Sequence, residues 1–154
     1  YHPHEYYATY FTVRADDFDT KLVTGGVEAI IRNIDEMKNR DVKLNPREKG
    51  IVSMLEIAME MNMRGIEFAP VSLMESDGSD FTITEDRKIR PPFCALAGLG
   101  ANATQNIIEA RKDGEFTSRE DLIHRAHVSK GVMEILDSYG VLDGMPESAQ
   151  MSFL

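Results

Sequence analysis

The feature that most constrains the fold is a pair of glycines one residue apart, placed directly before a helical segment. Residues 96–100 read Leu-Ala-Gly-Leu-Gly, and residues 101–111 follow with Ile107 and Ile108 at inward-facing helical positions. Glycines let the backbone turn tightly and approach another surface closely. The first N–H groups of the next helix have no partner within it, and with the helix dipole they can bind a phosphate. The pattern therefore predicts a tight turn whose backbone amides face outward.

A second, weaker copy follows about thirty residues later. Ser118 is placed to cap a short helix ending near Arg125, residues 126–131 form the next turn, and residues 132–139 have helical periodicity. Two such turns predict a tandem helix-hairpin-helix module over residues 91–142. Backbone contacts to phosphates carry no base specificity, so the predicted ligand is duplex DNA of any sequence. The predicted DNA-binding residues are Gly98, Leu99, Gly100, Ala101, Asn102, Ala103, Ser129, Lys130, Gly131, Arg111, Lys112 and Arg125. The alternative for the glycine pair is an ordinary turn between two helices.

The distribution of charge is compatible with this prediction although the chain is acidic. The formal net charge is −9, but residues 87–132 hold eight Lys/Arg and five Asp/Glu, which gives +3. Residues 1–86 carry −8 and residues 133–154 carry −4. Exposed charges separated by more than about 8–10 Å are largely screened at physiological salt. The local positive charge of residues 87–132 therefore matters more for DNA binding than the net charge of the chain.

The rest of the chain predicts mainly helix with a small β element. Helices are expected over residues 3–14 and 27–39 and from Pro46, where Asn45 and Glu48 have the spacing of a capping box. Strand character appears at residues 67–70, 81–84 and 88–90, with a turn at residues 85–87. We expect residues 1–90 to form a helical subdomain with short β strands near 67–90, and residues 143–154 to form a tail.

Composition limits the remaining possibilities. No run of about eighteen apolar residues exists, which excludes a membrane-spanning helix. Cys94 is the only cysteine, which suits a reducing cytoplasm, and its apolar setting predicts burial. The carboxylates of residues 16–19 are expected to form a solvated turn with a capping role, and no metal site is predicted. Because the first residue is Tyr1, we expect a fragment of a longer protein.

The chain resembles the C-terminal part of the bacterial replicative DNA polymerase III alpha chain of the PolC type. The resemblance covers essentially all 154 residues. It is carried by residues 2–15 (HPHEYYATYFTVRA), 64–73 (RGIEFAPVSL), 91–93 (PPF) running into the Gly-Leu-Gly turn, and 109–116 (EARKDGEF). It implies that residues 1–90 belong to the polymerase fingers and that the rest binds the primer-template duplex.

The resemblance also implies a catalytic parent. Such a polymerase transfers nucleotides with Mg²⁺ held by palm aspartates, which would lie upstream of this chain, so no catalytic residue and no cofactor is expected here. The family often ends in a sliding-clamp-binding peptide. Gln150, Met151, Phe153 and Leu154 fit that peptide except that Phe153 and Leu154 reverse the usual order. The alternative for this tail is a frayed terminus.

Two other functions remain open at this point. One is a stand-alone DNA-repair or junction-binding module, which would not need residues 1–90. The other is a protein-interaction module whose hairpins face a partner helix, which the acidic residues 1–86 make credible. A binding assay with short duplexes separates the second of these from the polymerase fragment.

Overall fold

The computed structural model describes residues 2–148, which form a mainly helical fold with one small sheet. The helices are α1 (Pro3–Val13), α2 (Thr20–Val23), α3 (Gly26–Lys38), α4 (Pro46–Met63), α5 (Ala101–Ala110), α6 (Arg119–Ala126) and α7 (Lys130–Ser138), and the strands are β1 (Thr82–Ile83) and β2 (Ile89–Arg90). Single 3₁₀ turns occupy Ala15–Asp17, Phe93–Ala95 and Arg111–Asp113. The predicted fold class, mainly α with a small β element and a helix-hairpin-helix module, is confirmed.

The first hydrophobic core lies between α1, α3 and α4. Its centre is an aromatic cluster in which ring centroids lie 4.8–5.7 Å apart, formed by Phe11, Phe18, Phe68 and Phe81. Helix α4 begins where the sequence predicts: Asn45 Oδ1 accepts from the Glu48 amide at 2.8 Å, and Glu48 Oε1 accepts from the Asn45 amide at 3.2 Å. This capping box satisfies two backbone donors that the helix itself leaves open.

The small sheet is an antiparallel hairpin. Thr82 pairs with Arg90 and Ile83 with Ile89, and the turn between the strands contains Arg87 with φ of 63°. Phe68 adds an isolated parallel bridge to Ile89. The expected pairing of residues 81–84 with 88–90 is therefore confirmed, although the regular strands are only two residues long, and the bridge from Phe68 is an addition that the sequence did not predict.

A second hydrophobic core lies among α5, α6 and α7. Its fully buried side chains include Phe93, Leu96, Ile107, Leu122 and Leu136. Val71 and Leu73 also belong to this core, because the segment after residue 70 crosses from the first core to the second. The predicted boundary near residue 90 stays a prediction, and in the structure the second core already includes residues from position 71. We call the parts built on the two cores the first and the second module.

Two features between the modules differ from the sequence-based expectation. The segment after α1 is not only a polar turn: Asp19 accepts from the Lys21 amide at 3.1 Å and caps the short helix α2. The expected capping role is thus confirmed, and the helix was missed because four residues are too few for a periodic signal. The prediction that Cys94 is buried is wrong, because the 3₁₀ turn Phe93–Ala95 directs it outward.

Candidate nucleic-acid interface

The first hairpin is exposed at the surface of the second module. Gly98 has φ of 87°, in the left-handed region that favours glycine, and Gly100 has an ordinary φ of −77°. Both glycines are exposed, while Leu99 is half-buried and packs against the second core. The turn therefore presents its backbone outward and anchors itself through one apolar side chain, as its sequence predicts.

The N-terminus of α5 offers uncapped backbone amides. Gly100 occupies the N-cap position and supplies no side-chain cap, and the Thr104 amide is the first to bond back to it, at 3.1 Å to the Gly100 carbonyl. The amides of Ala101, Asn102 and Ala103 precede that bond and have no acceptor in residues 2–148. A Cβ added at Gly100 would meet no atom of the described chain within 4 Å. Backbone amides without a partner at the start of a helix can bind an anion.

The second hairpin has the predicted order of helix, turn and helix, but a side chain caps the helix that follows its turn. Helix α6 stops at Ala126, His127 takes a left-handed conformation with φ of 53°, and α7 begins after Ser129. The Ser129 hydroxyl accepts from the Val132 amide at 3.2 Å, so one of the donors of α7 is already satisfied. Ser129, Lys130 and Gly131 are exposed. The two hairpins are therefore unequal: the first has open amides, and the second has one fewer but carries an exposed lysine.

Helix α7 and the residue that follows it also contact the first hairpin. A Cβ at Gly98 would lie 3.3 Å from Cδ1 of Ile135, and the Tyr139 hydroxyl accepts from the Ala97 amide at 3.0 Å. Besides the positive φ, this close approach to Ile135 is a second reason for glycine at position 98. The element that starts at one hairpin thus fixes the backbone of the other.

Two of the predicted DNA-binding arginines have internal partners. Nη1 of Arg111 donates to the carbonyls of Leu73 at 3.1 Å and Ser76 at 2.6 Å, and its guanidinium lies 6.0 Å from the centroid of the Phe93 ring. Phosphate contact by Arg111 stays a prediction, but these donors hold the segment after residue 70 against α5 in the structure.

Arg125 closes the loop between α5 and α6 in the same way. Its guanidinium donates to the carbonyls of Ala110 and Gly114 at 2.8 Å and of Glu115 at 2.9 Å, and to Asp121 at 3.1 Å. The backbone amide of Thr117 donates to the same carboxylate at 3.0 Å, and these bonds, that from Thr117 first, lower the pKa of Asp121. Phosphate contact by Arg125 also stays a prediction.

The local basic excess is largely paired within the protein. Within residues 2–148, the cations of the segment 87–132 that have a hydrogen-bonding or ion-pair partner are Arg87, Lys88, Arg90, Arg111, Lys112, Arg119 and Arg125. Lys130 has none in the same part of the chain. The Lys112–Glu109 pair spans 3.0 Å, but both side chains are almost two-thirds exposed. Such pairs stabilise by about 0–1 kcal/mol, so Lys112 can exchange its partner for a phosphate.

A buried serine holds residues 72–80 in place. Ser76 is fully buried; its hydroxyl donates to the Pro91 carbonyl at 3.0 Å and accepts from the Ser72 amide at 2.9 Å. The Phe93 amide donates to the carbonyl of Asp77 at 2.9 Å. Residues 72–80 therefore support the chain just before the first hairpin. The sequence signal that could have revealed a fixed turn here is Asp77. Its carboxylate accepts from the amides of Ser79 and Asp80, an arrangement typical of such turns.

Other kinds of site have no counterpart in the described part of the chain. Across residues 2–148, no group of three or more His, Cys, Asp or Glu side chains is arranged to hold a metal ion. In the same range, none of the helices combines the length and the apolar character that a membrane span requires. The predicted clamp-binding residues Gln150, Met151, Phe153 and Leu154 lie outside the described residues.

Comparison with known proteins agrees with the two hairpins. A family model described as helix-hairpin-helix motif matches residues 65–151, which is more than half of the chain. The chain therefore belongs to the helix-hairpin-helix motif family. The match begins well before the first hairpin and takes in the buried segment around Ser76.

Individual relatives indicate a narrower class of protein than the motif family does. The chain is 49% identical over 152 residues to a DNA polymerase III PolC-type of Clostridium perfringens, and this alignment covers 99% of the chain and 10% of the relative. It is 47% identical over 152 residues to the same kind of polymerase from Caldanaerobacter subterraneus and 43% over 147 residues to that of Bacillus subtilis. The chain thus spans about a tenth of the length of these relatives. The resemblance to a part of PolC-type polymerases is confirmed, and the assignment of residues 1–90 to the fingers stays a prediction.

Proposed function

We propose that this chain is the part of a PolC-type DNA polymerase III that holds the primer-template duplex through its phosphates, without regard to base sequence. The observation that carries this proposal is the uncapped N-terminus of α5 beside Gly100, where three backbone amides have no acceptor in residues 2–148 and a Cβ at Gly100 would meet no atom within 4 Å. Peptide amides at a helix N-terminus bind phosphate oxygens and recognise no base edge. Lys130 and Lys112 add charge–charge contacts.

The relatives support the polymerase over a stand-alone repair module. They match 96–99% of the chain, including the first module that a repair or junction-binding protein would not need. The proposed parent extends DNA with Mg²⁺ in its palm, in the cytoplasm, and this part contributes neither a catalytic residue nor a metal ligand. A protein-interaction module remains the competing function, and duplex titration distinguishes the two.

The sharpest test is Gly100→Ser in the whole 154-residue chain. A serine at the N-cap can accept from the amide of Asn102 or Ala103 and stabilises a helix by a few tenths of a kcal/mol relative to glycine. The same hydroxyl competes with a phosphate for those donors. We therefore expect a slightly more stable protein that binds a fluorescent duplex several-fold more weakly, equally for two duplexes of unrelated sequence. Unchanged affinity in a variant shown to be folded would contradict the proposal.

Lys130→Ala tests the charged contribution. Removing one phosphate-contacting lysine weakens binding equally across sequences and lowers the slope of log affinity against log salt by about one. Lys43→Ala, an exposed lysine on the loop between α3 and α4, is the matched control and should leave the slope unchanged.

We further propose that the tail binds a sliding clamp through Gln150, Met151, Phe153 and Leu154. An extended tail can insert two apolar side chains into a pocket on the clamp. Removal of residues 150–154 should abolish binding to the clamp while duplex affinity is retained. Clamp affinity that survives the deletion would rule out the tail as the binding peptide.

A further inference from the structure

A lysine of the first module lies beside the first hairpin of the second. Lys21 is exposed on α2, and its Nζ lies 4.4 Å from the centroid of the Tyr139 ring. The hydroxyl of that ring accepts from the amide of Ala97, the residue directly before Gly98. The ammonium group therefore rests on a side chain that is bonded to the backbone of the hairpin.

Three hydrogen bonds hold the backbone next to Lys21. Tyr139 donates to Oδ1 of Asp19 at 2.7 Å, and the same oxygen accepts from the Lys21 amide at 3.1 Å. The Thr20 hydroxyl donates to the carbonyl of Ala95 at 3.2 Å. The start of α2, the Tyr139 ring and the chain leading into the first hairpin thus form one hydrogen-bonded unit, which holds the backbone of Lys21 beside the first hairpin.

The charge of Lys21 is not neutralised by a direct ion pair. No carboxylate oxygen of residues 2–148 lies within 4.0 Å of its ammonium, and its one contact of charge is with the ring. A cation–π contact orients an ammonium without cancelling its charge. Asp19 is close enough to reduce the local potential, but its carboxylate already accepts from Tyr139 and from the backbone. An ammonium with three donors at such a place suits a phosphodiester oxygen.

We propose that Lys21 is a further phosphate-contacting residue of the duplex-binding surface, supplied by the first module and held against the first hairpin by Tyr139. The inference rests on the proposed function and extends it: the DNA-binding surface crosses from the second module to the first. It also gives a role to a cation in the segment whose overall charge is acidic.

The test is Lys21→Gln in the whole 154-residue chain, with a fluorescent duplex titrated at several salt concentrations. We expect several-fold weaker binding at low salt, equal for two unrelated sequences, and a salt slope lower by about one. Lys21→Arg keeps the charge and should retain the affinity within about twofold, a range well below the effect expected for a lost phosphate contact. Lys43→Gln, the same change of charge elsewhere on the first module, should change neither quantity.

Comparison with the hairpin variants separates the possible outcomes. If Gly100→Ser and Lys130→Ala weaken binding while Lys21→Gln behaves like Lys43→Gln, the inference is overturned and the hairpin function stands. If none of these variants weakens binding, the proposed function fails and the inference fails with it. Because the Lys21 side chain is exposed, a thermal unfolding curve of Lys21→Gln that matches the unsubstituted chain confirms that its effect is on DNA binding and not on folding.

Discussion

The hydroxyl of Tyr139 donates a hydrogen bond of 2.7 Å to Asp19, a residue 120 positions earlier in the chain. The same oxygen accepts from the amide of Ala97, so one side chain joins the start of α2, the end of α7 and the first hairpin. Burial, and then the neighbouring Asp19 carboxylate, raise the pKa of Tyr139 to about 12. Tyr139 is therefore one of the residues that join the two modules.

Tyr139→Phe should therefore destabilise the protein although it removes a single oxygen. The substitution leaves the Ala97 amide without an acceptor and removes one of the two donors to Oδ1 of Asp19, and we expect a loss of about 1–3 kcal/mol in the free energy of unfolding. Urea denaturation followed by circular dichroism measures it. Tyr6→Phe is the control, because Tyr6 is 55% exposed and the change should cost less than about 0.5 kcal/mol. Equal stability of the two variants would show that the bridge does not stabilise the fold.

The raised pKa of Tyr139 predicts a loss of stability at alkaline pH. The folded state holds the phenolic proton more tightly than the unfolded chain, whose tyrosines titrate near 10.0. The contribution of Tyr139 is thus fully present below pH 10 and is lost as pH rises through about 12. Denaturation curves between these values should show a steeper decline for the unsubstituted chain than for Tyr139→Phe. Parallel declines would mean that this phenol is not the group responsible.

Arg111 is expected to matter for folding more than its neighbour. Arg111→Ala leaves the carbonyls of Leu73 and Ser76 without their charged donor, and we expect about 2–4 kcal/mol of destabilisation. Lys112→Ala, one residue further on and exposed, should cost less than about 0.5 kcal/mol because surface ion pairs are weak. Chemical denaturation of both variants checks the difference. A small loss of stability in Arg111→Ala would mean that the Arg111 guanidinium is available for phosphate contact.

The two glycines of the first hairpin should respond differently to alanine. Gly98→Ala places a Cβ at a φ of 87° and 3.3 Å from Ile135, and left-handed backbone costs about 1–2 kcal/mol for a residue with a side chain. Gly100→Ala meets no atom of residues 2–148 within 4 Å at an ordinary φ, so it should lower the melting temperature less, through the poorer N-cap preference of alanine alone. Differential scanning calorimetry tests this pair. If both variants melt alike, the strain assigned to Gly98 is wrong.

Features with local causes could be predicted from the sequence. The capping box of Asn45 and Glu48 and the strand turn at residues 85–87 lie where their residue types require. The first hairpin also lies where its glycines predict. Each depends on neighbours within a few positions, and such neighbours are visible in a sequence. The tandem hairpins and the mainly helical class followed from signals of this kind.

Features with distant partners could not be predicted. The inward-facing guanidiniums of Arg111 and Arg125 bond to carbonyls that any residue could supply, so no side-chain pattern identifies them. Ser76 resembles an ordinary loop serine until the chain brings Pro91 against it. Lys21 and Tyr139 are 118 positions apart, and only the packing of the modules shows that they touch. Cys94 was misplaced because an apolar neighbourhood in sequence does not fix which way a 3₁₀ turn directs each side chain.

If the start of α5 binds phosphate as we propose, its lack of a side-chain cap has a consequence for movement along DNA. Main-chain amides have no rotamers, so nothing has to be reset when a duplex advances by one base pair. Each successive phosphate of a strand would meet the same donors in the same orientation, and the free energy of the complex would repeat with every step. Long side chains that reached into the grooves would instead have to release one base edge and find another. Under the proposed function, a surface of this kind would restrain DNA sideways and leave it free to slide lengthwise.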